Sequence, residues 1–183
     1  KRLKVSKQEK AYEILERYQL IDKLEKIGKT SVIGSLRMGL MVSNDIDIDV
    51  DNASMSIEQL YEFTRYVLQK FHPTWYEAKE EINDAGERVW FHGFEAIIDG
   101  ELWNFDIWFL NRETIKKAER YCEQIIEQVS ANKEAKERII LLKKQLIERD
   151  LYSFDKFTSM DVYKAVLEND VRDIESFLEN GKN

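Results

Sequence analysis

The sequence predicts an α/β (α+β) fold, with about five strands flanked by helices and then a helical C-terminal part. Three observations carry this. Apolar and polar residues alternate strictly over 45–51, and strand-like runs return over 74–110. Apolar residues at helical spacing precede and separate these runs. From Arg112 to the end the pattern stays helical.

In chain order, Ser6-Lys7-Gln8-Glu9 is a capping box. Tyr12, Leu15, Tyr18, Ile21, Leu24 and Ile27 follow at helical spacing, so one helix is expected up to a stop at Gly28. A short strand over 30–33 leads into Gly34-Ser35, and 36–42 reads as a short helical turn. Ser56-Ile57-Glu58-Gln59 is a second capping box, and its helix should end near Phe71, before Pro73. Strands are expected at 74–82, 87–99 and 101–110, with turns at 83–86 and at Asp99-Gly100. Asp-Gly between apolar runs is a strong hairpin signal. Helices should cover about 113–130 and then run to about 147, the second capped by Ser130 or Asn132. A loop over 150–158 and two short helices, 159–169 and 171–179, complete the chain. The stretch from Ala165 to Gly181 resembles one ankyrin-type helix pair. A single such unit cannot bury its own face, so a helical cap on the core is expected. The seam falls near 111, which divides the chain into 1–111 (a core with an N-terminal helix) and 112–183 (a helical region packed on it).

Composition bounds the function classes. The 9 Phe, 8 Tyr and 4 Trp are ample for a core. A single cysteine, Cys122, excludes an intramolecular disulfide and a cysteine metal cluster, and its helical setting marks it as a packed residue. No apolar run reaches the length of a membrane span and no signal-peptide pattern opens the chain, so no membrane partner and a cytoplasmic location are expected. The net charge of −7 argues that nucleic acid is an unlikely main ligand, because strand binders usually carry a basic stripe. An acidic cleft suits a cationic small molecule instead.

The chemistry concentrates in 32–50, VIGSLRMGLMVSNDIDIDV. On a strand, Asp45, Asp47 and Asp49 share one face and Ile46, Ile48 and Val50 the other. Alone, the alternation fits a solvated strand as well as a cation site. An EF-hand loop is excluded, since its sixth and twelfth positions would be Val50 and Ser56 instead of Gly and Glu. Gly34-Ser35 changes the weighting. Gly lets a phosphate approach the main chain, Ser35 adds a hydroxyl donor, and Arg37 adds a fixed charge. A phosphate-cradling turn that feeds a carboxylate strand is what a metal-bound triphosphate needs.

Gly34-Ser35, nine residues and then Asp45-Ile46-Asp47 resembles the signature of the DNA polymerase β-like nucleotidyltransferase superfamily, in the style of its minimal and antibiotic nucleotidyltransferases. The resemblance covers roughly 30–110. Members often carry Gly-Ser-x-x-Arg-Gly; here Gly39 is in place and Arg37 sits one position early. Asp47 and Asp49 also satisfy the permitted spacing, but Asn44-Asp45-Ile46-Asp47 matches better. The resemblance implies a mixed sheet and a third carboxylate on a later strand beside the pair. Asp106, a lone acid in an apolar strand, is the candidate.

The resemblance further implies transfer of an NMP group from a nucleoside triphosphate such as ATP to an acceptor hydroxyl, with release of pyrophosphate. Asp45, Asp47 and Asp106 would bind two Mg²⁺ ions (Mn²⁺ as a substitute), and Asp106 would also help deprotonate the acceptor. Gly34, Ser35 and Arg37 would hold the phosphates. Asp49 is either an outer partner of the metal site or surface. Glu95 and His92, on the neighbouring strand, are within reach of an acceptor, although His92 among Trp90, Phe91 and Phe94 reads as a packed histidine. A small-molecule acceptor, for instance an antibiotic, is favoured. The alternatives are a modifier of protein or RNA, as in toxin–antitoxin pairs, and a non-catalytic binding module that retains the fold. The sequence names neither the base, the acceptor nor the oligomeric state.

Overall fold

The computed structural model describes residues 4–180. Gly181, the last residue of the ankyrin-like stretch, lies outside the described residues. The elements are α1 (Lys7–Arg17), α2 (Leu20–Glu25), β1 (Lys29–Ile33), α3 (Gly34–Met38), β2 (Asp45–Asp51), α4 (Ile57–Phe71), β3 (Trp75–Ile82), β4 (Arg88–Ile98), β5 (Glu101–Leu110), α5 (Arg112–Ala131), α6 (Lys133–Glu148), α7 (Ser159–Leu167) and α8 (Ile174–Asn180).

The five strands form one mixed sheet in the order β1-β2-β5-β4-β3. β2 and β5 run parallel at its centre, and the other pairings are antiparallel. The β4–β5 hairpin turns at Asp99-Gly100, as expected, with both residues at positive φ. One sheet face buries Ile46, Ile48 and Val50 of β2 with Phe105, Ile107 and Phe109 of β5, against α1, α2 and α4. α4 presents Phe63, Val67 and Phe71 to this core and begins with the expected Ser56/Gln59 capping box. A second core joins α5, α6, α7 and α8 to Met38 and Leu40, so the C-terminal helices pack directly on α3 and the segment after it. Among the described residues no helix is long and apolar enough to cross a membrane.

One element departs from the sequence expectation. The single helix expected up to Gly28 is two, broken at Gln19, whose φ is 55°. The cause is tertiary. Tyr66 of α4 donates its hydroxyl to the Tyr18 carbonyl, which a continuous helix would give to the Asp22 N–H. The Tyr18 ring also stacks on Phe71 with centroids 4.4 Å apart.

Candidate active site

β2 carries the three aspartates on the face away from the aromatic core, as its period-two alternation requires. The parallel β5 lies in register beside it, pairing Asp45 with Asn104 and Asp47 with Asp106. Adjacent strands are about 4.8 Å apart, so Asp47 and Asp106 stand side by side on one face, with Asp45 one step along. β4 continues that face: Glu95 is opposite Asn104, and Gly93 opposite Asp106 leaves the third acid's neighbour without a side chain.

The Gly34-Ser35 bend closes the site from the other side. β1 pairs Ile33 with Asp47, so the chain leaves the sheet at the carboxylate itself. Gly34 takes φ +66°, and a Cβ there would lie 2.6 Å from Asp47 Oδ2. Only glycine satisfies both constraints. Arg37, one turn on, points to α5: its Nη2 lies 3.6 Å from Glu123 Oε1, and its Nε is buried without a partner.

Electrostatics mark the cluster. Burial pushes the Asp47 carboxyl up to about 7, reinforced by Asp106, Asp45 and Asp49 and opposed by Lys143. Asp106 is also raised, first by burial and then by Asp45 and Glu95, while Asn104 opposes this by donating from Nδ2 to Asp106 Oδ2 at 3.3 Å. Asp49 is not surface. It is 2 % exposed and is pushed up to about 7 by burial and by Glu119.

Several groups here were not singled out from the sequence. Ser43 Oγ donates to Asp45 Oδ2. Lys143 of α6 is 1 % exposed, and its ammonium donates to the Leu40 carbonyl at 2.7 Å and to the Tyr163 hydroxyl at 3.1 Å. Burial lowers Lys143 to about 8, and the charges of Asp45 and Asp47 hold it from falling further. The signal was present: Ile139, Leu142 and Leu146 form a buried stripe on α6, and a lysine within it needs partners. Asn104 sits two residues before Asp106 on β5, which on a strand means the same face, whereas Ser43 lies in the bend before β2 and reaches Asp45 from there.

His92 belongs to the other face. It is fully buried, its Nδ1 lies 2.7 Å from the Tyr76 hydroxyl, and its ring meets Phe63 and Phe109 edge-on. Cys122 is buried in the second core and its thiol is raised by that burial, which makes it a poor nucleophile.

No family model and no curated protein matches the sequence. Solved structures do match in fold. A Cid1 poly(U) polymerase bound to MgATP superimposes with a TM-score of 0.63 at 19% identity, over 90% of this chain and 51% of that one. A cytoplasmic RNA terminal U-transferase gives 0.60 at 20% identity, over 90% and 49%. The non-canonical poly(A) polymerase GLD-2, in complex with GLD-3, gives 0.58 at 15% identity, over 89% and 58%.

The chain has the DNA polymerase β-like nucleotidyltransferase fold. It spans about half the length of the solved structures it matches.

Within this nucleotidyltransferase fold, one expectation is overturned. The net charge of −7 makes nucleic acid an unlikely main ligand by itself, but the matching structures are a poly(U) polymerase, an RNA U-transferase and a poly(A) polymerase. Net charge misleads because it sums over the whole surface. Ion pairs such as Glu13 with Arg17 and Glu62 with Lys23 add nothing to the net charge, so the excess lies on other acids, some of which form the site itself. What a polyanion meets is the local charge.

The donors fit a hard divalent cation, since all are carboxylate oxygens. Among the described residues no group of three or more His, Cys, Asp or Glu side chains is arranged to enclose a metal by itself. Mg²⁺ is typically held by one or two carboxylates plus substrate phosphates, and paired acids beside the Gly34-Ser35 bend suit that mode.

Proposed function

We propose that the chain is a metal-dependent nucleotidyltransferase that moves an NMP group from a nucleoside triphosphate to a hydroxyl of an RNA acceptor, releasing pyrophosphate. The observation that carries this is the in-register pairing of Asp47 with Asp106, beside Asp45 and against the Gly34 bend. Like charges so placed, with Asp47 and Asp106 raised by burial, are unfavourable unless a cation compensates them. The acceptor class rests on the RNA-directed polymerases that share the fold.

In this reading Asp45 and Asp47 hold the cations, with Asp106 as a further ligand. When bound, Mg²⁺ supplies charge neutralisation of the triphosphate and of the developing oxyanions. The residues of the chain do the rest. The Gly34-Ser35 bend offers backbone and hydroxyl donors to the terminal phosphates. Asn104 orients the Asp106 carboxyl through its hydrogen bond. Asp106, raised by burial, takes the proton of the acceptor hydroxyl as that oxygen bonds to the α-phosphorus and the bond to pyrophosphate breaks. Lys143, anchored on the Leu40 carbonyl, fixes α6 against the segment that leads into β2 and offsets part of the acidic charge.

Incubation with each α-labelled triphosphate, Mg²⁺, and a panel of single-stranded RNA, tRNA, aminoglycosides and lincosamides tests the proposal. Label is expected on RNA and is expected to vanish in Asp47→Asn and Asp106→Asn. Label found only on a small molecule, or transfer that survives both substitutions, contradicts it.

A further inference from the structure

Beside the site lies a groove that the chemistry above does not use. It has a volume of about 550 Å³ and runs between α1, the segment from Gly39 to Val42, and α6. Lys4, Lys7, Lys10 and Lys144 line it, against a single acid, Glu101, and the buried ring of Trp103 lies at its apolar side. Lys10 is already paired with Asp99. Lys4, Lys7 and Lys144 are exposed and have no carboxylate partner among the described residues. Three uncompensated ammonium groups around one concavity, on a chain of net charge −7, are a local reversal of sign.

The groove is joined to the carboxylates. Lys7 Nζ donates to Asn44 Oδ1 at 3.1 Å, and Asn44 immediately precedes Asp45. Its wall is firm: Gln8 of α1 donates to the Leu36 carbonyl of α3 at 3.1 Å, and Lys143, next to Lys144, is tied to Leu40. It is also distinct from the triphosphate bend. Gly34 opens α3 and Gly39 closes it, so the five-residue helix separates them by about 7.5 Å at 1.5 Å per residue. A groove whose Lys7 binds the residue before Asp45, and whose lining reaches Gly39 but not Gly34, fits the acceptor better than the phosphate tail of the donor.

We infer that this groove holds the sugar–phosphate strand of the acceptor RNA, with its phosphates paired to Lys4, Lys7 and Lys144. This rests on the nucleotidyltransferase reading for the hydroxyl's destination but not for the binding itself. Lysines serve here as point charges that track a backbone without reading sequence.

The test is fluorescence anisotropy of a labelled 15-nucleotide oligo(U) with the 183-residue chain, in EDTA so that no transfer occurs, over a range of NaCl. Single strands lose about 0.7 in the log–log salt slope per neutralised phosphate. The triple variant Lys4→Gln/Lys7→Gln/Lys144→Gln is expected to lower the slope by about 2, and Lys→Arg at the same positions to restore it. A control triple, Lys117→Gln/Lys133→Gln/Lys136→Gln, should leave the slope in place. An unchanged slope in the groove variant, an equal loss in the control, or a loss of ATP binding in place of oligo(U) binding overturns the inference. The two readings fail separately. If the wild-type chain labels RNA while the groove variant keeps its full slope, the groove assignment falls and the function stands. If oligo(U) binding depends on the three lysines while no triphosphate is ever transferred, the groove stands and the function falls.

Discussion

His92 and Asp47 lie in the same sheet, one on each face, and both are withdrawn from water. On the face covered by α1, α2 and α4, His92 sits among Phe63 and Phe109, and burial lowers it to about 4. It is neutral at pH 7, and Tyr76, itself hydrogen-bonded to Thr64, satisfies its Nδ1. On the opposite face burial pushes Asp47 up to about 7, but there three more carboxylates add to the shift, Lys143 opposes it only in part, and no hydrogen-bond donor among the described residues relieves it. The same physical cause yields a more settled polar group on one side, with Nδ1 bonded and Nε2 buried without a partner among the described residues, and an unsettled cluster of like charges on the other. A fold optimised only for stability would not keep the second kind. The contrast supports the proposed role of the Asp47 face without reference to any relative.

The largest effect that sharpens this contrast is on turnover. Asp47→Asn is expected to lower label transfer by at least about a thousand-fold, the equivalent of some 4 kcal/mol of lost charge stabilisation, measured as single-turnover transfer to RNA. Gly34→Ala comes next. Its methyl group would press on Asp47 Oδ2 and its φ is unfavourable, so transfer should drop about a hundred-fold, the scale of an ångström misplacement, with unfolding at lower temperature.

The third effect is on stability and depends on pH. The Asp47 carboxyl is raised from 3.8 to about 7 on folding, so the metal-free protein loses stability from this group as pH rises from about 4 and has lost it fully above about 7. His92, lowered from 6.5 to about 4, acts the other way and destabilises as pH falls below 6.5. The midpoint of metal-free Asp47→Asn should therefore match wild type near pH 4 and exceed it by roughly 10–15 °C at pH 8, by calorimetry at both pH values. Equal midpoints at pH 8 would break the contrast, because the cluster would then carry no strain. The smallest effect belongs to the settled side. Tyr76→Phe leaves His92 Nδ1 without its partner and should destabilise by about 1–2 kcal/mol in a denaturant titration, without altering transfer.

Much of this was legible in the sequence because it is local. The alternation over 45–51 placed three acids on one face, the two capping boxes marked real helix starts at Ser6 and Ser56, and Asp99-Gly100 marked the hairpin. Asp106 stood out as a lone acid among apolar neighbours. What escaped depends on partners distant in the chain. The break at Gln19 comes from the Tyr66 hydroxyl, 48 residues away from Tyr18. Lys143 reaches a carbonyl 103 residues earlier. The charge expectation failed for the same reason: Lys4 and Lys144 make one groove only once α1 and α6 are folded around the segment after α3.

Electron paramagnetic resonance of Mn²⁺, titrated in the presence of a non-hydrolysable triphosphate, addresses the carboxylate face itself. Wild-type protein is expected to take up Mn²⁺ together with the nucleotide, and Asp47→Asn to lose that uptake while remaining folded. Identical Mn²⁺ titrations in the two proteins, or nucleotide binding without any bound Mn²⁺, would show that the acids of β2 and β5 do not serve a metal-bound triphosphate.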